Sequence, residues 1–429
     1  MREDTKSMRN RILMLSWEYP HYKIGGLAEH VYELSKALAR KGADVHVVTL
    51  GAVPYEEREG VHVRRIAVDV CRPDFITFMN NKMKKIGVSI IESAGTASPI
   101  IHAHDWMVGN AAIALAFRYR TPLISTIHST EFGRVRGIKE GYQMFIHEME
   151  EELVRSSAHI IVCSESMKRE VQGLFGVTEN ISVFPNGVDV SKFDFCADKA
   201  ALKERFCGSK DATMIVYIGR LVRQKGVNVL IGALRTLLNA SPDLQQRVKL
   251  VIVGEGPMRE HLERDAAYLG VSNHVVFTGY LDDYTVRCLL KAADVVAVPS
   301  LYEPFGIVAL EAMAAKTPVV VSDVGGLSEL ICAGEGIKVP SDNSESLAEG
   351  ILQILSAGED EQRKVELERM VERGFRKVCS LTWDTISEAT VEAYKKVLAS
   401  APPARPPRWQ ERGIEIETEK SELWQYSYS

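Results

Sequence analysis

The chain has 429 residues, of which 46% are hydrophobic and 25% are charged, and this length predicts two globular domains of about 200 residues each. The net charge of -5 argues against a general nucleic-acid-binding protein, because such proteins are normally basic. No apolar run reaches about 18 residues, so no membrane-spanning helix is expected, and the polar N-terminus does not resemble a secretory signal.

The seven cysteines are an odd number and are scattered along the chain, with no Cys-x-x-Cys pair. Disulfide frameworks and zinc sites both show recurring close spacings. We therefore expect reduced cysteines in a cytoplasmic protein, with neither disulfides nor a zinc site.

The first half of the chain alternates short apolar runs with longer segments of helical period. The runs are Ile12–Leu15, Val45–Val48, Pro99–His102, Leu123–Ile127 and His159–Val162. Such β-branched runs are typical of parallel strands buried on both faces. A helix is expected over 28–40, where apolar residues recur at helical spacing and Gly42 provides a stop. The alternation predicts a doubly wound α/β domain.

The same pattern restarts in the second half. Its apolar runs are Met214–Ile218, Leu250–Val253, Val275–Phe277, Val295–Val298 and Val319–Val321. We expect one Rossmann-like domain over 10–192 and a second Rossmann-like domain over 193–380. A terminal helix over 381–399 should pack back on the first domain, and the proline-rich segment 400–429 should form a tail.

In open α/β sheets, ligands bind beyond the carboxyl ends of the strands, so the loops at those ends are the candidate sites. The first strand leads into a loop that contains Lys23, Gly25 and Gly26. Paired glycines let the backbone approach a ligand closely, and the following helix offers unpaired N–H groups to an anion. A purely structural turn explains a Gly-Gly pair equally well.

Imidazoles and carboxylates follow the next strands. One strand ends in His102, His104 and Asp105, and the next ends at His128. Together these groups could surround a ligand that is rich in hydroxyls. His102 is equally consistent with a core position, whereas His104 and Asp105 are expected to face the ligand. No Asp-x-Asp or other acidic ligand set accompanies them, so no metal is expected.

The second half carries cations at a strand end. Arg220 ends one strand, and Lys225 follows in the loop before the next helix. Two cations at this spacing can straddle a diphosphate and neutralise the charge that develops on it as a leaving group. Gly254 ends the next strand and would let a base or ribose lie against the backbone. Solvated loop charges are the alternative interpretation of the cations.

The segment Tyr302–Glu311 follows another buried strand. A helix is expected to begin at Phe305 and Gly306 and continue through Ile307, with its N-terminus available to phosphate. Glu303 lies before that helix, and Glu311 lies within its first two turns. Carboxylates accept paired hydrogen bonds from neighbouring hydroxyls, so these two residues are candidates to hold sugar and ribose.

The spacing Glu303-x7-Glu311, combined with Gly219-Arg220 and Lys225-Gly226, resembles family 4 of the retaining glycosyltransferases. Their fold is GT-B, an α/β architecture of two Rossmann-like parallel-sheet domains that face a central cleft. The resemblance covers about residues 11–398. It implies that the domain over 10–192 binds the acceptor and that the domain over 193–380 binds the nucleotide-sugar donor. Within the family, the segments Lys23–Leu27, His104–Trp106 and Tyr302–Gly306 are similar to bacterial and archaeal glycogen or starch synthases.

The resemblance implies roles for these residues. Arg220 and Lys225 would bind the donor diphosphate, Glu311 the ribose hydroxyls and Glu303 the hydroxyls of the transferred glucose. His128 would lie beside the anomeric carbon, and Asp105 would contact the sugar or the acceptor. The loop of Lys23, Gly25 and Gly26 would approach the phosphates. The implied reaction is retaining and needs no metal or other cofactor.

The implied donor is ADP-glucose or UDP-glucose, and the preferred acceptor is an α-1,4-glucan. The loop after His128 is short and basic, with Arg134 and Arg136, where bacterial glycogen synthases carry a longer insertion. A small sugar, a phosphosugar or a lipid-linked acceptor is therefore the alternative. A nucleotide-sugar epimerase and a non-catalytic binding subunit are less consistent with the complete set of motifs. The sequence leaves the oligomeric state open.

Overall fold

The structure, a computed structural model, describes residues 11–22, 25–93, 99–139 and 141–400. Lys23 and the expected tail from 401 onward lie outside these ranges. The described chain divides into two compact units. Unit 1 runs to Pro185 and resumes at Trp383, and unit 2 comprises Asn186–Thr382. Each unit is an α/β domain built on its own sheet, as the apolar runs predicted.

Unit 1 contains an eight-stranded sheet. Its strands are β1 (Arg11–Leu15), β2 (Asp44–Leu50), β3 (Tyr55–Arg58), β4 (Val61–Ile66), β5 (Ile100–His104), β6 (Leu123–Ile127), β7 (His159–Val162) and β8 (Ile181–Val183). They lie in the order β3-β4-β2-β1-β5-β6-β7-β8. The pairings are parallel except that β3 is antiparallel to β4 at the edge. The direction of winding reverses between β1 and β5.

The helices of unit 1 cover its sheet. They are α1 (Gly26–Arg40), α2 (Phe75–Glu92), α3 (Gly109–Tyr119), α4 (Glu131–Val135), α5 (Tyr142–Ser156) and α6 (Glu165–Phe175). The last helix of the described chain, Trp383–Ser400, belongs to the same unit. Its buried Tyr394 hydroxyl lies 2.7 Å from Nδ1 of His102, so His102 is a core residue.

Unit 2 contains a six-stranded parallel sheet. Its strands are β9 (Thr213–Ile218), β10 (Val248–Val253), β11 (Val275–Gly279), β12 (Val295–Val298), β13 (Val319–Ser322) and β14 (Ile337–Val339). They lie in the order β11-β10-β9-β12-β13-β14, so the winding reverses between β9 and β12. Nearly all the β-branched side chains of the four inner strands, β10, β9, β12 and β13, are buried, which is the arrangement that continuous apolar runs predict. Those of the edge strands β11 and β14 are mostly half-buried.

Nine α-helices are described in unit 2. They are α7 (Lys199–Cys207), α8 (Val227–Ala240), α9 (Pro242–Arg247), α10 (Arg259–Tyr268), α11 (Asp283–Ala292), α12 (Ile307–Ala314), α13 (Gly325–Leu330), α14 (Ser344–Leu355) and α15 (Glu361–Ser380). The terminal helix of unit 1, Trp383–Ser400, is therefore α16. No helix within the described ranges is both long and apolar enough to cross a membrane.

The β3–β4 hairpin was not among the predicted strands. β3 has the sequence Tyr-Glu-Glu-Arg, and its side chains are exposed or half-buried. In β4, the buried Val61 and Val63 alternate with half-buried polar residues. One face of an edge hairpin is exposed, so it lacks the continuous apolar run that marks the central strands.

Candidate functional site

The two points where the winding of a sheet reverses indicate where the candidate sites lie. In a doubly wound sheet, the loops after the two strands that flank the reversal separate and leave a crevice at the carboxyl edge. In unit 2, these loops follow β9 and β12 and contain Arg220, Lys225 and Glu303. In unit 1, the loops after β1 and β5 contain Gly25 and Asp105, and His128 follows the adjacent β6.

Lys225 and Glu303 form an ion pair in unit 2. Lys225 Nζ lies 2.7 Å from Glu303 Oε2, and the same carboxylate oxygen accepts a hydrogen bond of 3.1 Å from Ser300 Oγ. The Lys225 side chain is 27% exposed and that of Glu303 is 12% exposed. An ion pair held at this depth is only partly screened by water, so both charges are fixed in place and still reachable by a ligand.

Backbone hydrogen bonds hold the two loops together. The N–H groups of Leu301 and Tyr302 both donate to the carbonyl of Gln224, at 2.8 and 3.2 Å. Gly226 has a φ of +64°, and a Cβ built there would lie 2.1 Å from the carbonyl oxygen of Pro299. Only glycine permits this approach, so the Lys225-Gly226 pair fixes the lysine beside the loop that carries Glu303.

Arg220 lies beside the same pair. The buried Tyr217 hydroxyl donates to the Arg220 carbonyl at 2.9 Å. Burial raises the pKa of Tyr217, the charge of Glu303 raises it further, and that of Arg220 lowers it, so both charges act at this hydroxyl. Gly254 ends β10 alongside, with a φ of +130°, and a Cβ there would lie 2.0 Å from the Gly219 carbonyl oxygen. No other residue fits at this strand end.

The prediction placed the start of this helix at Phe305 and Gly306. Helix α12 begins directly after them, at Ile307. Gly306 is the N-cap, with a φ of +104°, and makes no side-chain cap. The preceding Phe305 is buried, whereas Tyr302 is half-buried. Glu311 lies in the second turn of α12 and is half-buried. All the predicted residues of unit 2 therefore follow the carboxyl ends of β9, β10 and β12.

Asp105 and His128 are joined in unit 1. The backbone N–H of His128 donates to Asp105 Oδ1 at 2.7 Å. Asp105 has a φ of +60° and a ψ of 171°, a backbone conformation that costs of order 1–3 kcal/mol outside glycine and often marks functional sites. Burial raises the pKa of Asp105 to about 6, although the His128 N–H opposes the shift.

Three imidazoles converge at the same strand ends. His104 Nδ1 lies 3.2 Å from His128 Nε2, and the ring of His30 on α1 lies 4.6 Å from that of His128 between centroids. His104 is completely buried beneath His128, so the prediction that it faces a ligand is wrong. Burial lowers the pKa of His128 to about 3 and that of His104 well below its usual range, so both rings are neutral at pH 7.

A buried network supports the loop after His128. Arg134 Nε lies 3.0 Å from Glu131 Oε2, and its Nη2 lies 3.3 Å from Glu150 Oε1. Arg134 Nη1 also donates to Ser129 Oγ at 2.7 Å, and the backbone N–H of Glu131 donates to Glu150 Oε1 at 2.8 Å. Burial raises the pKa of Glu150 to about 8. Arg134 is therefore engaged within unit 1, rather than being a solvated loop charge.

The N-terminus of α1 carries a carboxylate from its own loop. The N–H of Gly25, the N-cap residue, donates to Glu18 Oε2 at 2.8 Å, and Gly26 is the first residue of the helix. Glu18 is buried. The sequence predicted an anion at this helix end, and a side-chain anion of the protein occupies part of it.

Four residues of these clusters were not predicted: Glu18, His30, Glu131 and Glu150. Glu18 and Glu131 have partners within the same loop or helix, whereas His30 and Glu150 have partners on other elements. Glu150 lies in the acidic stretch Glu148–Glu152, which is typical of an exposed helix face. His30 lies among the apolar residues of α1. The sequence did offer one sign of His30 and Glu131. They lie in α1 and α4, which are the next elements after β1 and β6, and the loops after those strands carry site residues.

Comparison with known proteins assigns both halves of the chain to one class of enzyme. The family described as glycosyltransferase family 4 matches residues 24–192, and glycosyl transferases group 1 matches residues 199–370. An uncharacterized glycosyltransferase of Methanocaldococcus jannaschii is 39% identical over 90% of this chain and 98% of its own length.

Two further relatives have named activities. A glycogen synthase of Mycobacterium tuberculosis is 37% identical over 90% of this chain and 94% of its own length. An α-maltose-1-phosphate synthase of Mycolicibacterium smegmatis is 30% identical over 91% of this chain and 100% of its own length.

The fold is that of solved glycosyltransferases. A sucrose-phosphate synthase from Thermosynechococcus elongatus superimposes with a TM-score of 0.78 at 24% identity, over 91% of this chain and 100% of that structure. The predicted GT-B class is confirmed, and the full-length similarity at 39% and 37% identity decides the family. The chain belongs to the family 4, or group 1, glycosyltransferases.

Proposed function

We propose that this glycosyltransferase moves glucose from ADP-glucose or UDP-glucose to the end of an α-1,4-glucan. The observation that carries the donor is the Lys225–Glu303 pair, 2.7 Å apart at the reversal of winding in unit 2. A cation and a carboxylate side by side match the two parts of a nucleotide-sugar, a diphosphate and a hydroxyl-bearing ring. The glucan acceptor is supported by 37% identity to a glycogen synthase over most of both chains.

The unit 2 residues hold the donor. Arg220 and Lys225 bind the diphosphate, and Glu311 accepts hydrogen bonds from the ribose hydroxyls. Glu303 accepts hydrogen bonds from the glucose hydroxyls and is held in its orientation by Lys225 and Ser300. The backbone from Tyr302 through Phe305 and Gly306 to Ile307, together with Gly254, lines the phosphates, ribose and base. Glycines at these positions allow the close approach.

The unit 1 residues act on the sugar and the acceptor. His128 lies beside the anomeric carbon as a neutral hydrogen-bonding group, because burial keeps its pKa near 3. Asp105 holds the His128 backbone and contacts the sugar or acceptor hydroxyl. Gly25 and Gly26 approach the phosphates from the N-terminus of α1, together with Lys23 of the same loop.

The transfer breaks one bond at glucose C1 and forms another. The bond between glucose C1 and the β-phosphate oxygen breaks, and the nucleoside diphosphate leaves with the electron pair. A bond forms between C1 and the acceptor hydroxyl oxygen, and the acceptor proton passes to the departing phosphate oxygen. The configuration at C1 is retained, and Arg220 and Lys225 neutralise the leaving group, so that no metal is required.

A phosphosugar acceptor is the second candidate. It is favoured by 30% identity to an α-maltose-1-phosphate synthase over the whole of that relative. The basic loop at Arg134 was the sequence feature that suggested it, and Arg134 is engaged with Glu131 and Glu150. Arg134 therefore adds no support for the phosphosugar, whereas Arg136, the other basic residue of the loop, is exposed. The glucan stays the leading proposal because the glycogen synthase is the more similar relative, at 37% against 30% identity.

A donor-by-acceptor matrix tests the proposal. The protein is incubated with ADP-glucose or UDP-glucose, each with glycogen, glucose 1-phosphate or no acceptor, and release of nucleoside diphosphate is measured. The proposal expects release that depends on glycogen and continues with EDTA present. Release only with glucose 1-phosphate would replace the glucan with the phosphosugar. Epimerised donor without diphosphate release would overturn both proposals.

A further inference from the structure

The three imidazoles of unit 1 lie close enough together to bind one metal ion. Glucosyl transfer does not require that spacing. His30, His104 and His128 each offer one ring nitrogen within 4.8 Å of the other two. Zn²⁺ binds imidazole nitrogen at about 2.0–2.1 Å in a tetrahedron, which separates neighbouring ligand atoms by about 3.3–3.4 Å. The 3.2 Å between His104 Nδ1 and His128 Nε2 is close to that separation.

The protonation of the rings is compatible with an ion. A metal binds the neutral imidazole, and His104 and His128 are neutral because they are buried. At present one ring donates its proton to the other across the 3.2 Å contact. When an ion binds, that proton moves to the other nitrogen of its own ring, so the site loses no proton.

One polar atom at the cluster has no protein partner. Nε2 of His104 is buried and accepts or donates no hydrogen bond within the part of the chain that the structure describes. Because no protein donor occupies this nitrogen, it can carry the ring proton while Nδ1 faces the ion. A ring that can exchange its tautomer without breaking another hydrogen bond is suited to accept an ion.

We propose that His30, His104 and His128 form a binding site for Zn²⁺ or a similar divalent transition ion, and that the occupied site inhibits the enzyme. Three imidazoles favour Zn²⁺, Co²⁺, Ni²⁺ and Cu²⁺ over Mg²⁺ or Ca²⁺, which prefer oxygen ligands. The ion would hold His128 away from the sugar. This inhibitory effect rests on the proposed function, whereas the metal binding itself does not.

A second cluster in unit 1 has similar residues but a different chemistry. Asp44, His46 and His62 also bring three ligand atoms within 4.8 Å. Arg64 Nη1 lies 2.8 Å from His46 Nδ1, and a guanidinium can only donate, so the proton of this neutral ring is on Nε2. His46 Nε2 lies 2.8 Å from Asp44 Oδ1, although the contact lacks the directionality of a hydrogen bond. The ring therefore presents a proton, not a lone pair, to the cluster.

This second cluster is therefore a natural control. Arg11 pairs with Asp44 at 2.6 Å, and together with Arg64 it places two positive charges against any incoming cation. We expect it to bind no transition ion. A substitution of His62 then changes a neighbouring histidine cluster of the same unit without touching the proposed site.

The test uses Co²⁺ as a spectroscopic probe and the full chain without a polyhistidine tag. Co²⁺ is titrated into the protein, and the visible absorption of tetrahedral Co²⁺ is recorded, followed by displacement with Zn²⁺. We expect one ion per chain for the wild-type protein and for His62→Asn. We expect at least about a tenfold lower affinity for His30→Asn. Thermal unfolding followed by circular dichroism reports whether each variant folds. If His30→Asn does not fold, His128→Asn is used in its place.

Tryptophan fluorescence locates the ion. The Trp383 ring lies 5.3 Å from that of His30, so bound Cu²⁺ should quench its emission. The quenching should be smaller in Trp383→Phe than in the wild type and should be unchanged in His62→Asn. The proposal is overturned if the wild-type chain binds no Co²⁺, if His30→Asn and His128→Asn bind it as tightly as the wild type, or if His62→Asn abolishes the signal.

The inhibitory effect has its own measurement. Zn²⁺ at a concentration that saturates the site should lower the transferase rate of the wild type at least about tenfold and leave His30→Asn within twofold of its own metal-free rate. Zn²⁺ binding without a change in rate would overturn the inhibition and keep the site. A protein that binds Co²⁺ but transfers no glucose would refute the proposed function instead.

Discussion

The two units present candidate sites of opposite electrostatic character. In unit 2, the site consists of an ion pair, Lys225–Glu303, between loops whose conformation requires glycine. Both side chains of the pair are partly exposed. In unit 1, the site consists of imidazoles and carboxyl groups, all of them buried except the half-buried His128. The first arrangement is suited to a charged ligand that arrives from water, because its lysine is partly accessible to solvent.

The second arrangement is suited to an uncharged ligand and to precise placement. His128 and Asp105 are tied together by a backbone hydrogen bond, and the loop behind them is held by Arg134 and Glu150. A nucleotide-sugar has both kinds of part, a charged diphosphate and a neutral sugar ring. The contrast indicates how one reaction can divide its requirements between two domains of the same fold class. The predictions below test that division.

The largest effect is expected at Glu303. Glu303→Gln removes the carboxylate that we propose accepts the sugar hydroxyls and leaves Lys225 without its counter-charge, so kcat should fall by at least about 100-fold. Steady-state kinetics with the active nucleotide-glucose donor measure it. Glu349→Gln, on the exposed face of α14, is the matched control and should retain the wild-type rate. A Glu303→Gln rate within threefold of wild type would exclude the residue from the site.

Lys225→Ala should have the next largest effect. Removing the cation weakens donor binding and leaving-group stabilisation together, so the donor KM should rise and kcat should fall, by about 10–100-fold in kcat/KM. Lys210→Ala, in an exposed turn of the same unit, is the control. Unchanged kinetics for Lys225→Ala would remove it from the diphosphate site.

Asp105 should set the acidic limit of activity. Its carboxyl has a pKa of about 6, so it is ionised at pH 7 and becomes protonated as the pH falls through 6. If the reaction uses the carboxylate, kcat/KM should fall by up to about tenfold per pH unit below that value. Lys225→Ala should lower the whole profile without moving this midpoint. A wild-type profile that stays flat down to pH 5 would contradict the role of Asp105.

Glu150 should affect stability more than rate. Its pKa is about 8 in the folded protein, against 4.5 for an ordinary glutamate, so between these values the folded chain binds the extra proton. The free energy of unfolding should therefore fall as the pH rises through this window, by at most about 1.4 kcal/mol per pH unit. Glu150→Gln lacks this slope, so its stability relative to wild type should increase with pH.

Urea denaturation between pH 5 and pH 8.5 measures that difference. Glu151→Gln changes the neighbouring residue of α5, which pairs with Arg155 on the helix surface, and should keep the wild-type slope. If Glu150→Gln and the wild type lose stability in parallel, Glu150 is ionised in the folded protein and the description of the unit 1 network is wrong.

Much of the fold was predictable because the central strands are buried on both faces. The runs at β6, β7 and β12 match the observed strands residue for residue. The β3–β4 hairpin and the short β8 and β14 were missed because they lie at or near sheet edges, where one face is exposed and the apolar run is broken. A strand can be predicted from its sequence most readily when both of its faces are buried.

The candidate site was predictable where a loop directly follows a strand. Arg220, Lys225 and Glu303 are such residues, and the carboxyl edge of the sheet brings them together. His30 and Glu150 could not be predicted, because their helical positions resemble ordinary faces and their partners come from other elements. Local pattern marks strand ends, but it does not reveal which distant polar groups pack against them.

The binding of nucleoside diphosphate tests the division between the units most directly. Isothermal titration calorimetry with ADP and UDP is carried out on the wild type, Lys225→Ala and His128→Ala. We expect Lys225→Ala to bind the diphosphate at least about tenfold more weakly, and His128→Ala to bind it within twofold of wild type while losing glucosyl transfer. Diphosphate binding that depends on His128 and is indifferent to Lys225 would contradict this account.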